Sequence, residues 1–146
     1  MSKHCIVYVC KPKSCKYSYN AEVIDDVDGE LIYGTGKTAR EAIEDMHVMV
    51  DEINQSRAAS GKAQLDITCE YRYDVPSLFS LYPYLNISEV GKRIGIHPVL
   101  MRRYASNETS PSAKRMRYIE DAVKEIASEL QSIALMPESR RTAIVS

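Results

Sequence analysis

The stretch Ile87-Ser88-Glu89-Val90-Gly91-Lys92-Arg93-Ile94-Gly95-Ile96-His97-Pro98-Val99-Leu100-Met101-Arg102-Arg103-Tyr104-Ala105-Ser106 decides how this chain reads. Val90 and Ile94 are four apart, so they share one face of a first helix that begins around Ser88. Gly91 leaves room where two helices cross closely. Gly95 supplies a turn whose left-handed backbone favours a residue without a Cβ. Ile96 plugs the corner. His97-Pro98 opens the next helix, with proline at the first helical position, where a missing N–H costs nothing. Met101 and Tyr104, three apart, point back into the core.

Buried positions 90, 94, 96, 101 and 104, with small residues at 91 and 95, make the helix-turn-helix pattern of repressor-like proteins. They leave His97, Val99, Arg102, Arg103 and Ser106 on the outer face of the second helix. An arginine there can reach guanine O6 and N7 with two hydrogen bonds, worth about 1–3 kcal/mol of discrimination, and Val99 suits a thymine methyl. The alternatives are a solvated face or contact with phosphates. His97 reads as a helix cap or backbone contact rather than a metal ligand.

Downstream, a polar loop from Ser106 to Thr109 precedes Ser110-Pro111, which starts a last helix. Its apolar residues Met116, Ile119, Val123, Ile126, Leu130 and Ile133 step by 3, 4, 3, 4, 3, a heptad seam. That seam either completes the local core or forms the dimer contact that two-fold operators require. Lys114, Arg115 and Arg117 near its start are placed to touch phosphates. Residues 137–146, with Pro137 and Arg140-Arg141, read as a flexible tail.

Upstream, Asp74-Val75-Pro76-Ser77 marks a boundary, where Ser77 can cap a new helix. Before it, His4–Val9 is apolar on both parities, the mark of a strand covered on both faces. Tyr17, Tyr19, Ala21 and Val23 alternate with polar residues as a half-buried strand. Asp25-Asp26-Val27-Asp28-Gly29 is hairpin chemistry. Glu30–Tyr33 reads as a third strand ended by Gly34-Thr35-Gly36. Thr38 with Glu41 is a capping box, followed by the stripe Ala39, Ala42, Ile43, Met46, Val50 and Ile53 of a helix fading near Ser56–Gly61. Ile67, Cys69, Tyr71 and Tyr73 alternate as a fourth strand. The order is βββαβ.

Charge follows the same division. The 146 residues are 45% apolar, with 19 basic and 20 acidic residues, which excludes a disordered or low-complexity chain. Residues 1–74 hold 9 basic and 13 acidic groups, net −4, whereas residues 75–146 hold 10 and 7, net +3. Within 86–118, Lys92, Arg93, Arg102, Arg103, Lys114, Arg115 and Arg117 face only Glu89 and Glu108, net +5. A polyanion-binding half joined to an acidic half follows. The apolar runs are too short for a transmembrane helix, and Cys5–Cys10 is too short for a signal-peptide core, so a cytoplasmic protein without membrane association is expected. Cys5, Cys10, Cys15 and Cys69 form no CxxC pair, so neither a metal site nor a cofactor is expected.

Two catalytic readings fail on spacing. Asp25, Asp26, Asp28 and Glu30 cluster on one turn instead of converging from separate strands, as a two-metal nuclease needs. Gly36-Lys37-Thr38 ends like a phosphate-binding loop, but the required first glycine falls at Leu31. The chain is not expected to be an enzyme.

Together the halves resemble a HicB-type antitoxin. The matching residues are Tyr19-x-Ala21, the acidic turn ending in Gly29, and Gly36-Lys37-Thr38-x-x-Glu41-Ala42; the family's proline near that turn is replaced here by Ile24 and Val27-Asp28. The resemblance implies an α+β protein. Residues 1–75 form a partial ribonuclease-H-like interaction domain that neutralises a HicA-like ribonuclease toxin. By the same resemblance, residues 76–136 are expected to form an all-α helix-turn-helix domain that binds double-stranded operator DNA and autorepresses transcription. A homodimer or dimer of dimers is expected. The alternative is an orphan transcriptional regulator whose first domain senses a ligand or protein.

Overall fold

Alternating buried residues along the first strand and a capped apolar stripe on the first long helix make two layers, and among the described residues every element after residue 74 is a helix. The computed structural model describes residues 2–14 and 18–138. In chain order the elements are β1 (Lys3–Cys10), β2 (Tyr19–Val23), β3 (Tyr33–Gly36), α1 (Ala39–Ala59), β4 (Ile67–Tyr73), α2 (Val75–Leu81), α3 (Ile87–Arg93), α4 (Pro98–Ala105) and α5 (Ala113–Gln131). The architecture is α+β. The sheet order is β3-β2-β1-β4, antiparallel from β1 through β3 and parallel between β1 and β4. Tyr17, Cys15 and most of the expected tail, residues 139–146, lie outside the described residues.

Cys5, Val7 and Val9 of β1 are fully buried with Ala21 and Val23 of β2 under Ala39, Ala42, Met46 and Val50 of α1. The opposite side of β1 stays open, with Tyr8 41% exposed. The expectation of a strand covered on both faces is therefore corrected: a single helix covers one side of this sheet, and Ile6 and Tyr8 are apolar without being enclosed.

The third strand also differs from expectation. It runs through the glycines, Tyr33–Gly36, and not through Glu30–Tyr33. Asp28 and Gly29 take positive φ values of 52° and 75°, and Glu30 N–H donates to the Val27 carbonyl at 2.9 Å, so the hairpin turns on two residues of the primed type. Glycine is required in β3 because α1 presses onto it. A Cβ on Gly34 would overlap the Met46 amide and the Ala42 carbonyl, and one on Gly36 would overlap Glu41.

Thr38 Oγ1 accepts from Glu41 N–H at 3.1 Å, as the capping box requires. The reciprocal bond is shifted by one residue, because Glu41 Oε2 accepts from Lys37 N–H at 2.9 Å. At the other end, Gly61 sits at φ 73° while Lys62 N–H reaches the Arg57 carbonyl at 2.8 Å, a Schellman stop.

The joint between the halves is built on Asp74. Its carboxylate caps α2 by accepting from Ser77 N–H at 2.9 Å and accepts from Lys11 N–H at 2.8 Å. Asp74, and not Ser77, is the cap; Ser77 is fully buried inside α2. The Lys11 carbonyl in turn accepts from Asn107 Nδ2 at 2.6 Å, so the Lys11 backbone is held at its N–H by the joint and at its carbonyl by the second half. A separate helical core gathers Val75, Phe79, Val90, Ile96, Met101, Tyr104, Ile119 and Ala122.

Candidate nucleic-acid interface

Asn86 starts α3, its side chain accepting from Glu89 N–H at 3.1 Å. The helix ends in a second Schellman stop: Gly95 has φ 72°, and Ile96 N–H donates to the Gly91 carbonyl at 2.9 Å. A Cβ on Gly91 would strike Met101 Cγ and lie 2.9 Å from the Ile96 carbonyl oxygen, so only glycine lets α3 and α4 cross here. His97 caps α4 through its ring, Nδ1 accepting from Val99 N–H at 3.1 Å. That bond places the proton of a neutral ring on Nε2.

With Met101 and Tyr104 buried, α4 shows solvent His97, Val99 (42% exposed), Arg102 and Arg103, and Ser106 follows at its end. Among the described residues the Arg102 guanidinium has no hydrogen-bond or ion-pair partner. Arg103 lies 3.9 Å from Glu108, both exposed. Lys92 pairs with Glu89 at 3.1 Å on the surface, an interaction of small net value.

Four other basic residues have different surroundings. Arg93 donates to Glu129 at 2.7 Å and to Glu125 at 3.2 Å. The Glu129 hydrogen bond raises the arginine above its ordinary value, and the same bond lowers Glu129. Arg115 Nη1 donates to the buried Tyr104 hydroxyl at 2.7 Å, bolting α5 to α4. Arg117 lines a cleft between α5 and β4. Lys114 lies over the Tyr118 ring, 5.8 Å from its centre. The structure thus gathers five of the ten named positions, residues 97, 99, 102, 103 and 106, on one helix and its end, and engages Arg93 and Arg115 within the fold. The partners Glu125 and Glu129 carried no local signal, being 32 and 36 residues away in sequence.

The acidic turn is dispersed. Asp25 accepts from Ile6 N–H at 2.6 Å, and Asp26 accepts from Gly29 N–H at 3.0 Å. Arg57 takes both Glu30, at 3.1 Å, and Asp28, at 3.4 Å. Burial pushes the thiols of Cys5, Cys10 and Cys69 up from their ordinary value. No helix among the described residues is long and apolar enough to cross a membrane. Compared with protein-family models, curated proteins and solved structures, the chain matches none.

Proposed function

We propose that this chain is a regulator of the HicB-like antitoxin kind. In this reading β1–β4 with α1 is a partial ribonuclease-H-like domain that binds and neutralises a small ribonuclease toxin. The α3–α4 pair is a helix-turn-helix that binds operator DNA and represses transcription, in a cytoplasmic homodimer. The strand order β3-β2-β1-β4 is compatible with the first assignment. The observation that carries the second is the outward Arg102, unpaired among the described residues, on a helix whose inner face is locked by Gly91 against Met101. Cations around α4 attract the duplex without sequence preference, and α4 then reads base edges in the major groove. The α5 seam supports a dimer: Met116, Ile119, Val123 and Ile126 pack on the helical core, while Leu130 on the same line is 53% exposed; the seam expected to reach Ile133 stops with α5 at Gln131, and Ile133 lies past its end.

The test is binding to promoter DNA from the chain's own gene and to random duplex, across a salt series. Arg102→Ala is expected to weaken promoter binding about 10-fold or more, corresponding to about 1–3 kcal/mol, with little change for random DNA. Equal loss on both, with the salt slope reduced by about one, would assign Arg102 to a phosphate instead. Wild-type chain that binds neither duplex at low salt sinks the regulator reading. The antitoxin part is tested by co-purification with whatever protein is encoded beside its gene.

A further inference from the structure

The sheet ends in two edges, and they are unlike. β3 is four residues long and half glycine, whereas β4, Ile67-Thr68-Cys69-Glu70-Tyr71-Arg72-Tyr73, is seven residues with no glycine, proline or lysine to discourage pairing. Lys3 N–H donates to the Asp66 carbonyl at 2.8 Å at one end of the β1–β4 ladder, and Asp74 N–H donates to the Val9 carbonyl at 3.1 Å at the other. In a parallel ladder alternate residues face the neighbour, so the even-numbered residues of β4 turn their main chain to β1. The N–H and C=O groups of Cys69, Tyr71 and Tyr73 therefore point off the sheet. Beside them lies an open cleft of about 710 Å³, lined by residues 70–75 on one side and by α5 on the other.

We propose that β4 pairs antiparallel with β4 of a second copy, about a two-fold axis at Tyr71, joining the two sheets into one of eight strands. The argument for a second copy is charge. Glu70 and Arg72 flank Tyr71 on the same face and touch each other at 2.7 Å. Antiparallel pairing centred on Tyr71 sets each Glu70 opposite the other copy's Arg72, closing a ring of four alternating charges. Because Tyr71 faces outward it makes a hydrogen-bonded pair at the axis, and Glu70 and Arg72 occupy the closer, non-hydrogen-bonded positions. Slipping the register by one residue on each strand sets Glu70 against Glu70, or Arg72 against Arg72. Parallel in-register pairing sets like against like at both. One arrangement satisfies the charges. This interface is separate from α4 and does not depend on DNA binding.

The experiment measures the mass of the full chain by sedimentation, together with amide hydrogen exchange at residues 69, 71 and 73. The wild type is expected to associate, with those three amides exchanging at least about 100-fold slower than free edge amides. Glu70→Arg should abolish that protection and lower the mass, and Glu70→Arg with Arg72→Glu should restore both. Circular dichroism on each variant separates loss of pairing from loss of folding, and Arg72→Glu alone serves as the second single variant should Glu70→Arg not fold. Fast exchange at these amides in the wild type overturns the proposal, and so does a double variant that stays unpaired while folded. A monomer whose edge becomes protected only when another protein is added also overturns it, by assigning the edge to that protein.

Discussion

The two long helices are built alike and used differently. α1 has 21 residues and α5 has 19, and each carries an apolar line at helical spacing. α1 lies along the sheet and buries Ala39, Ala42, Met46 and Val50, four residues spread over three turns. α5 buries only Ile119 and Ala122 and leaves Leu130 bare. An apolar stripe therefore reports that a face wants cover, and a tertiary partner decides whether the cover comes from this chain. α1 belongs to the body of the fold; the far half of α5 is a surface.

The largest effect expected from that contrast is at Gly34, where α1 rests on β3. Gly34→Val drives a side chain into helix backbone that cannot step aside, and should cost over ~3 kcal/mol, read as loss of the cooperative melt. Next comes a matched pair. Met46→Ala, from a fully buried side chain, should cost about 2–5 kcal/mol in denaturant unfolding. Leu130→Ala should stay within about 0.5 kcal/mol at concentrations where the chain is monomeric. Equal losses for the two would erase the distinction between the helices.

A smaller effect is expected where the two regions face each other across the cleft. Tyr73 lines that cleft, and burial, followed by its neighbour Tyr82, pushes its hydroxyl from 10.0 up to about 12. The unfolded chain loses this proton first, so the stability involved is intact below pH 10 and is lost as pH rises through about 12. Melting temperature should fall over that window, and less steeply in Tyr73→Phe. A small change of the opposite sign is expected for Ser77→Ala. The Ser77 hydroxyl is buried without a partner, so its removal should leave stability unchanged or raise it by up to about 1 kcal/mol in a thermal melt.

Legibility followed range. The alternation of Ala21 and Val23, the Thr38 cap and the Gly95 turn are local signals, and each stands in the structure where the residues put it. The third strand lies later than its residues suggest, because Gly34 and Gly36 look like turn residues until a helix is laid across them. Ser77 offers a cap by residue type, but Asp74 three residues earlier is the same kind of residue and takes the position, its carboxylate also accepting from Lys11 N–H. Among the basic residues of the second half, composition alone does not distinguish Arg102, which is free among the described residues, from Arg93 and Arg115, which are engaged.

By itself, then, the order of residues determined the identity and sequence of the elements, since periodicity, caps and positive-φ glycines act within a few residues. Which face of β1 is left open, which arginines remain available, and that α5 outruns its cover were decided only when distant segments met. Those outcomes depend on contacts such as Arg93 with Glu129 and Gly34 with α1, whose energies exist only after the chain has closed the loops between them.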